Sequence, residues 1–133
     1  MTDILPSYLR DAWWAPASEA GATEVRDAST GEVVTLISTD GIDLGAAIAH
    51  ARTVGQASLG ALTFHQRALL LKEFGIALTA RKEELYELSK RAGATTRDSL
   101  SDVDGGIGVL FTYSSKGRRE LPNAQVYLDG PVE

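Results

Sequence analysis

Through the first 38 residues, short aromatic or β-branched runs are separated by Pro, Gly, Ser and Asp, with weak apolar–polar alternation at Glu24–Asp27. After residue 40 the apolar positions return every three to four residues. The first pattern predicts short strands and turns, the second predicts helices. Ser7–Trp14 is aromatic-rich and Pro16 stops it. Trp13 and Trp14 are adjacent, so on a strand they point to opposite faces and at most one is easily buried. Glu24–Asp27 alternates weakly, Ser29-Thr30-Gly31-Glu32 is a turn signal, and Val33–Ile37 is a β-branched strand after it. The reading for residues 1–38 is one β-hairpin unit.

The helical region spans residues 39–120. Asp40 is the expected first cap, with Asp43 at the third helical position. Leu44, Ile48 and Ala51 form a stripe in a segment that ends near Gly60. Thr63-Phe64-His65-Gln66 is a capping box that opens the next helix. Leu71, Phe74, Leu78, Leu85 and Leu88 form the apolar face expected to be buried. A break is expected near Thr79–Lys82, a second helix to Arg91, and Gly93 just past its end. Thr95, with Asp98 three residues on, opens the last helix. Its stripe is Leu100, Val103, Ile107, Leu110, Phe111 and Ser114. Gly105, Gly106 and Gly108 interrupt that helix at a propensity cost on the order of 2–3 kcal/mol. Close approach of another backbone is the simplest compensation. Gly117 with Arg118-Arg119 fits a helix C-terminus, and Pro122 stops the chain from continuing helical. Ala124–Leu128 reads as a short strand.

Composition narrows the chemistry. The chain has 133 residues, net charge −5 and no cysteine, which rules out a disulfide framework, a thiolate zinc site or a cysteine nucleophile within it. His50 and His65 are its only histidines, too few for a His-based metal site. Residues 1–60 carry 3 basic and 8 acidic side chains, residues 61–133 carry 10 of each. The acidic front argues against a nucleic-acid footprint. No apolar run approaches the roughly 20 residues a membrane helix needs, and the N-terminus has no signal-peptide core. A cytoplasmic location is the expectation.

Each constellation has a plain structural reading. Asp104-Gly105-Gly106-Ile107-Gly108 invites a dinucleotide reading. That fingerprint requires a preceding strand and a small residue where Phe111 stands. Asp102 and Asp104 lie two apart on a helix and do not share a face, so they read as surface acids rather than a cation site. Glu83, Glu84 and Glu87 suit the start of a helix, where the macrodipole favours acids. His50 and His65 have no local partner acid or serine, and His65 reads as a surface residue. Ser99, Ser101, Ser114 and Ser115 lack a nucleophile elbow. No residue is assigned a catalytic, cofactor-binding or metal-ligating role.

The order of motifs resembles the opening portion of the aldehyde dehydrogenase family. The residues that carry it are Trp13-Trp14, Ala28-Ser29-Thr30-Gly31-Glu32-Val33-Val34, Asp43 to Ala51, Arg67 to Lys72, and Arg81 to Leu85. Where that family usually shows Glu-Thr-Gly-Lys-Pro, this chain has Gly93-Ala94-Thr95 and Asp98-Ser99. Asp102-Val103-Asp104-Gly105-Gly106-Ile107-Gly108-Val109-Leu110-Phe111-Thr112-Tyr113-Ser114-Ser115 and Arg119-Glu120-Leu121-Pro122 follow. That run is similar to a bifunctional branch of phenylacetate degradation, in which the dehydrogenase is joined to a ring-opening, hydratase-like oxepin-CoA hydrolase domain.

The resemblance implies an α/β, Rossmann-like three-layer fold for the intact enzyme. This chain would be the N-terminal part of its cofactor-binding domain: mainly helical, with an N-terminal β-hairpin unit and a short C-terminal strand, residues 121–133 starting the oligomerisation strand. It implies oxidation of a CoA-linked semialdehyde with NADP or NAD in a homo-oligomer, without nucleic-acid or membrane partners. The cysteine nucleophile, glutamate base and oxyanion asparagine of that chemistry lie beyond the positions present here. The 133-residue chain is therefore expected to be inactive alone and to self-associate through uncovered apolar stripes. The alternative is a stand-alone helical interaction module that uses the 100/103/107/110/111 stripe as its partner-binding face.

Overall fold

The computed structural model describes residues 3–128 and Gly130. The chain forms two units: one runs up to Gly55 and includes Arg91–Gly93, the other comprises Gln56–Lys90 and Ala94 onward.

In the first unit, β1 (Ser7–Leu9) pairs antiparallel with β2 (Ala12–Trp14), and Tyr8 sits opposite Trp13. Their rings meet edge to face with centroids 5.2 Å apart, the arrangement favoured by the ring quadrupoles. Arg10 and Asp11 link the strands, both with positive φ, 52° and 62°. A two-residue turn of this kind matches strand twist but usually takes Asn-Gly, so this one holds two side chains in the left-handed region. Trp13 is exposed and Trp14 half-buried, as adjacent strand residues require.

β3 (Thr23–Arg26) and β4 (Val33–Ile37) form a separate antiparallel ladder with a bulge at Val25/Arg26. The single hairpin unit expected over residues 1–38 is therefore two independent two-stranded sheets, with one parallel bridge from Ile4 to Leu36. The loop before β4 is built by Asp27. Its carboxylate accepts from the Ser29 and Thr30 amides at 2.8 and 3.1 Å, which holds its pKa below the ordinary carboxyl value. Gly31, at φ +75°, donates its amide to the Asp27 carbonyl at 2.8 Å.

Helix α1 (Leu44–His50) starts three residues later than expected. Asp43, not Asp40, is the cap, and its carboxylate accepts from the Ala46 amide at 2.8 Å. Gly41 at φ +84° stands between them, and a helix cannot pass through that conformation. The chain continues through a π-helical turn, Ala51–Gly55, into α2 (Gln56–Gly60). The sequence reads as one helix here. The Thr53 hydroxyl donates to the Ala49 carbonyl at 2.9 Å, the acceptor that a regular helix gives to the Thr53 amide.

In the second unit, α3 (Phe64–Thr79) opens with the expected capping box: the Thr63 hydroxyl accepts from the Gln66 amide, and the Gln66 side chain accepts from the Thr63 amide. α3 ends at Thr79, α4 (Lys82–Arg91) follows the expected break, and Gly93 takes φ +99°. Thr95 caps α5 (Thr96–Arg119), 24 residues long.

α3 and α5 pack antiparallel, because Ala68 opposes Gly117 and Gly75 opposes Phe111. The inward face of α3 is its small residues, Ala68 and Gly75, which are buried. The Leu71/Phe74/Leu78/Leu85/Leu88 face is not the buried one: Phe74 is 55% and Leu88 56% exposed. Close helix contact selects small side chains and turns the larger ones outward. On α5 the buried residues are Ser99, Ile107 and Ser114, with Val103, Leu110 and Phe111 half-buried and Leu100 exposed. Most of that stripe is thus wholly or partly covered within the unit, and Leu100 is left exposed.

The close approach expected at the three glycines that interrupt α5 is not found there. A Cβ on Gly105, Gly106 or Gly108 would meet nothing within 4 Å. The close approaches are at Gly75, where a Cβ would lie 3.1 Å from Phe111, and at Gly117, where it would lie 3.0 Å from Ala68.

The strand expected at Ala124–Leu128 does not form; these residues are irregular. A strand needs a partner edge, and α3 takes the polar groups instead. The Phe64 amide donates to the Ala124 carbonyl at 2.9 Å, and the Arg67 guanidinium donates to the Gln125 carbonyl at 2.7 Å. The Gln125 amide donates to the Ala61 carbonyl at 2.9 Å. The remainder of the 121–133 expectation, Asp129 and residues 131–133, lies outside the described residues.

Candidate functional site

The polar side chains gather at three places. In the first unit, His50 on α1 lies 3.2 Å from the Asp11 carboxylate, so the left-handed β1–β2 turn has an anchor. This partner is 39 positions away in sequence, beyond the reach of any local spacing pattern.

In the second unit, Asp104 of α5 receives two bonds from α4. The Lys82 ammonium lies 2.5 Å away, and the Tyr86 hydroxyl donates at 2.9 Å. Lys82 also lies 5.7 Å from the centre of the Tyr86 ring. The Lys82 contact, then the Tyr86 bond, lower the Asp104 carboxyl below its ordinary value. Asp104, with Tyr86, raises the Lys82 ammonium. Asp104, expected to be a surface acid, is thus a tie between two helices. The signal for it, an acid on α5 facing Lys82 and Tyr86 one turn apart, exists only once α4 folds back. Glu84 pairs with Arg81 at 2.6 Å and Glu87 with Lys90 at 2.8 Å; these are exposed pairs that stabilise little.

His65 is not a free surface residue. Its Nε2 lies 2.9 Å from the Leu121 carbonyl and holds the chain as it leaves α5. Ser99 is fully buried, and its hydroxyl has no partner. Neither arrangement places a base beside a nucleophile.

Among the described residues, no three metal-ligating side chains come together. No helix of the described residues is long and apolar enough to cross a membrane. The Gly105-Gly106-x-Gly108 run lies in the middle of α5, where the backbone amides are committed to the helix. They have no free N–H groups with which to cradle a pyrophosphate, so these residues do not fit a nicotinamide dinucleotide.

What these residues share is architecture: a capped turn before β4, Asp43 opening α1, the Thr63 box, and α5 running antiparallel to α3. The aldehyde dehydrogenase family profile matches residues 13–129. The chain belongs to the aldehyde dehydrogenase family. It is similar to the 3,4-dehydroadipyl-CoA semialdehyde dehydrogenase of Aromatoleum evansii, with 38% identity over 115 residues. That match covers 86% of this chain and 22% of the relative, so the chain spans about a fifth of the length of the curated relative it matches. The family motifs have structural tasks here. Thr30-Gly31-Glu32 is the turn organised by Asp27, Asp43 is a helix cap, and Arg67 ties Leu62 and Gln125 to α3.

Proposed function

We propose that this aldehyde dehydrogenase segment belongs to an NAD- or NADP-dependent enzyme that oxidises a CoA-linked semialdehyde to the acid. The observation that carries the reading is the identity to a CoA-semialdehyde dehydrogenase over most of the chain. The Asp102-to-Ser115 and Arg119-Glu120-Leu121-Pro122 runs support a narrower proposal: aerobic phenylacetate catabolism, with a ring-opening hydrolase domain in the same protein. The proposed working form is a cytoplasmic homo-oligomer. Residues 1–133 act as the N-terminal part of the cofactor-binding domain and hold no catalytic, cofactor-binding or metal-ligating residue. The apolar side chains that α3 leaves exposed, Leu69, Leu70, Phe74 and Ile76 among them, support this, since a contiguous apolar surface is ordinarily covered in a protein's finished setting.

The test expresses the complete open reading frame that contains this segment, with the 133-residue chain alongside. Reduction of NADP or NAD driven by a CoA-linked semialdehyde is expected from the complete frame and absent from the chain alone. Turnover by the 133-residue chain, or a complete frame inert toward such substrates, overturns the proposal. Release of ring-opened product from an oxepin-type CoA thioester tests the narrower reading separately.

A further inference from the structure

Three aspartates in the chain are followed by glycine: Asp40, Asp104 and Asp129. An Asp-Gly step carries a reaction of its own, because glycine has no Cβ to shield its backbone nitrogen from the neighbouring side chain. The third step includes a residue outside the described ones. The first two fold in opposite ways.

Asp40-Gly41 is the middle of a turn, closed by the Ile42 amide donating to the Thr39 carbonyl at 3.1 Å. Gly41 takes the third position at φ +84°, the conformation a type II turn requires there. Both residues are exposed. Among the described residues, the Asp40 carboxylate has no hydrogen-bond partner and the Gly41 amide has no acceptor. Asp104-Gly105 lies inside α5, where the Gly105 amide is committed to the carbonyl one turn back. The Asp104 carboxylate is held by Lys82 at 2.5 Å and by Tyr86 at 2.9 Å. Both contacts keep it ionised, and a carboxylate ion is a poor electrophile.

We propose that Asp40-Gly41 is a site of spontaneous isoaspartate formation and that the fold protects Asp104-Gly105 from the same reaction. The Gly41 nitrogen attacks Cγ of the protonated Asp40 side chain. The N–Cγ bond forms, the Cγ–OH bond breaks, and the hydroxyl leaves with the amide proton as water. The product is a five-membered succinimide, and water then adds to either ring carbonyl. Opening at the backbone carbonyl leaves the chain running through Cγ, which is isoaspartate. Opening at Cγ restores aspartate. Only water leaves and enters, so the reaction does not depend on the dehydrogenase reading. Isoaspartate adds one carbon to the backbone. Gly41 stands beside Trp14, whose ring would lie 3.7 Å from a Cβ there, and Asp43 caps α1 two residues on. The lengthened backbone runs directly into the start of that helix.

The 133-residue chain is incubated at about pH 6, where a protonated fraction of an ordinary carboxyl remains, once folded and once in urea. Tryptic peptides are then separated and fragmented by electron transfer, which distinguishes isoaspartate from aspartate. In the folded chain, the peptide holding Asp40 is expected to accumulate a water-lost form and an isomer of unchanged mass. An isoaspartate-specific methyltransferase should label that isomer. The peptide holding Asp104 is expected to isomerise more than about ten-fold more slowly, since the helix must open first. In urea the two steps should react at similar rates. Asp40→Glu, whose ring would have six members, should remove the isomer, and the exposed side chain leaves no partner behind. Equal rates at the two steps in the folded chain, an Asp40 step that reacts only in urea, or an isomer that persists in Asp40→Glu would each overturn the proposal. So would the same difference in rate persisting in urea.

Discussion

Ser99 shows how one side chain can work against the fold that contains it. It is wholly buried in the second turn of α5, and its hydroxyl has no partner. A buried, unsatisfied hydroxyl costs about 1–3 kcal/mol, and alanine favours a helix more than serine does. Ser99→Ala should therefore raise stability by roughly 1 kcal/mol, read as a higher urea midpoint at unchanged slope. Asp104 acts in the opposite direction. Its carboxyl is held below its ordinary value by Lys82 and Tyr86, so its contribution is complete above the unfolded carboxyl pKa near 4. It is lost as pH falls through the lower folded value. The stability gap between wild type and Asp104→Asn should be constant from pH 5 to 7 and close below about pH 4, which chemical denaturation at a series of pH values will show. His50 and Asp11 were both visible as residues. Their pairing was not, because it depends on the β1–β2 turn reaching α1.

At the scale of elements, helix boundaries were legible wherever a side chain closes a local ring. Thr63–Gln66, Thr95–Asp98, the Thr79–Lys82 break and Gly93 all lie where the sequence indicates. Local bonds decide these features, and local bonds are written in local spacing. The π turn at Ala51–Gly55 was not legible, since the apolar positions keep a helical spacing straight through it. The roles of the glycines were not legible either, because a glycine inside a helix signals packing without naming the partner. The structure separates them, and substitution tests the separation. Gly106→Ala meets open space and should stabilise by about 0.5–1 kcal/mol through helix propensity. Gly117→Ala gains the same propensity but drives a methyl to 3.0 Å from Ala68 and should lower stability. Paired thermal melts of the two variants should move in opposite directions.

For the whole molecule, the described residues that are buried all belong to the second unit: Ala68, Gly75, Tyr86, Ser99, Ile107 and Ser114. The strands and α1 have backbone bonds but no buried side chain. Amide exchange should therefore be slowest in α3 and α5 and close to unprotected in β1 and β2, since protection follows local contact and burial. On α3, Leu69, Leu70, Phe74 and Ile76 are each 41–55% exposed, an apolar surface of the kind that marks an interaction face. Sedimentation velocity across a hundred-fold concentration range should show concentration-dependent association, and replacing Leu70 and Ile76 by serine should suppress it. A concentration-independent monomer would show that the chain tolerates this exposure.

By itself the sequence determined where helices start and stop, which turn precedes β4, and which family the chain resembles. Each is set by residues a few positions apart or by the order of motifs along the chain. Only the tertiary structure decided which face of α3 is inside, which glycines admit a neighbour, that Asp104 ties α4 to α5, and that Ala124–Leu128 is not a strand. Those outcomes depend on what a second segment brings to the surface of the first. A periodic apolar stripe states that a face wants cover; its partner's shape decides which face receives it.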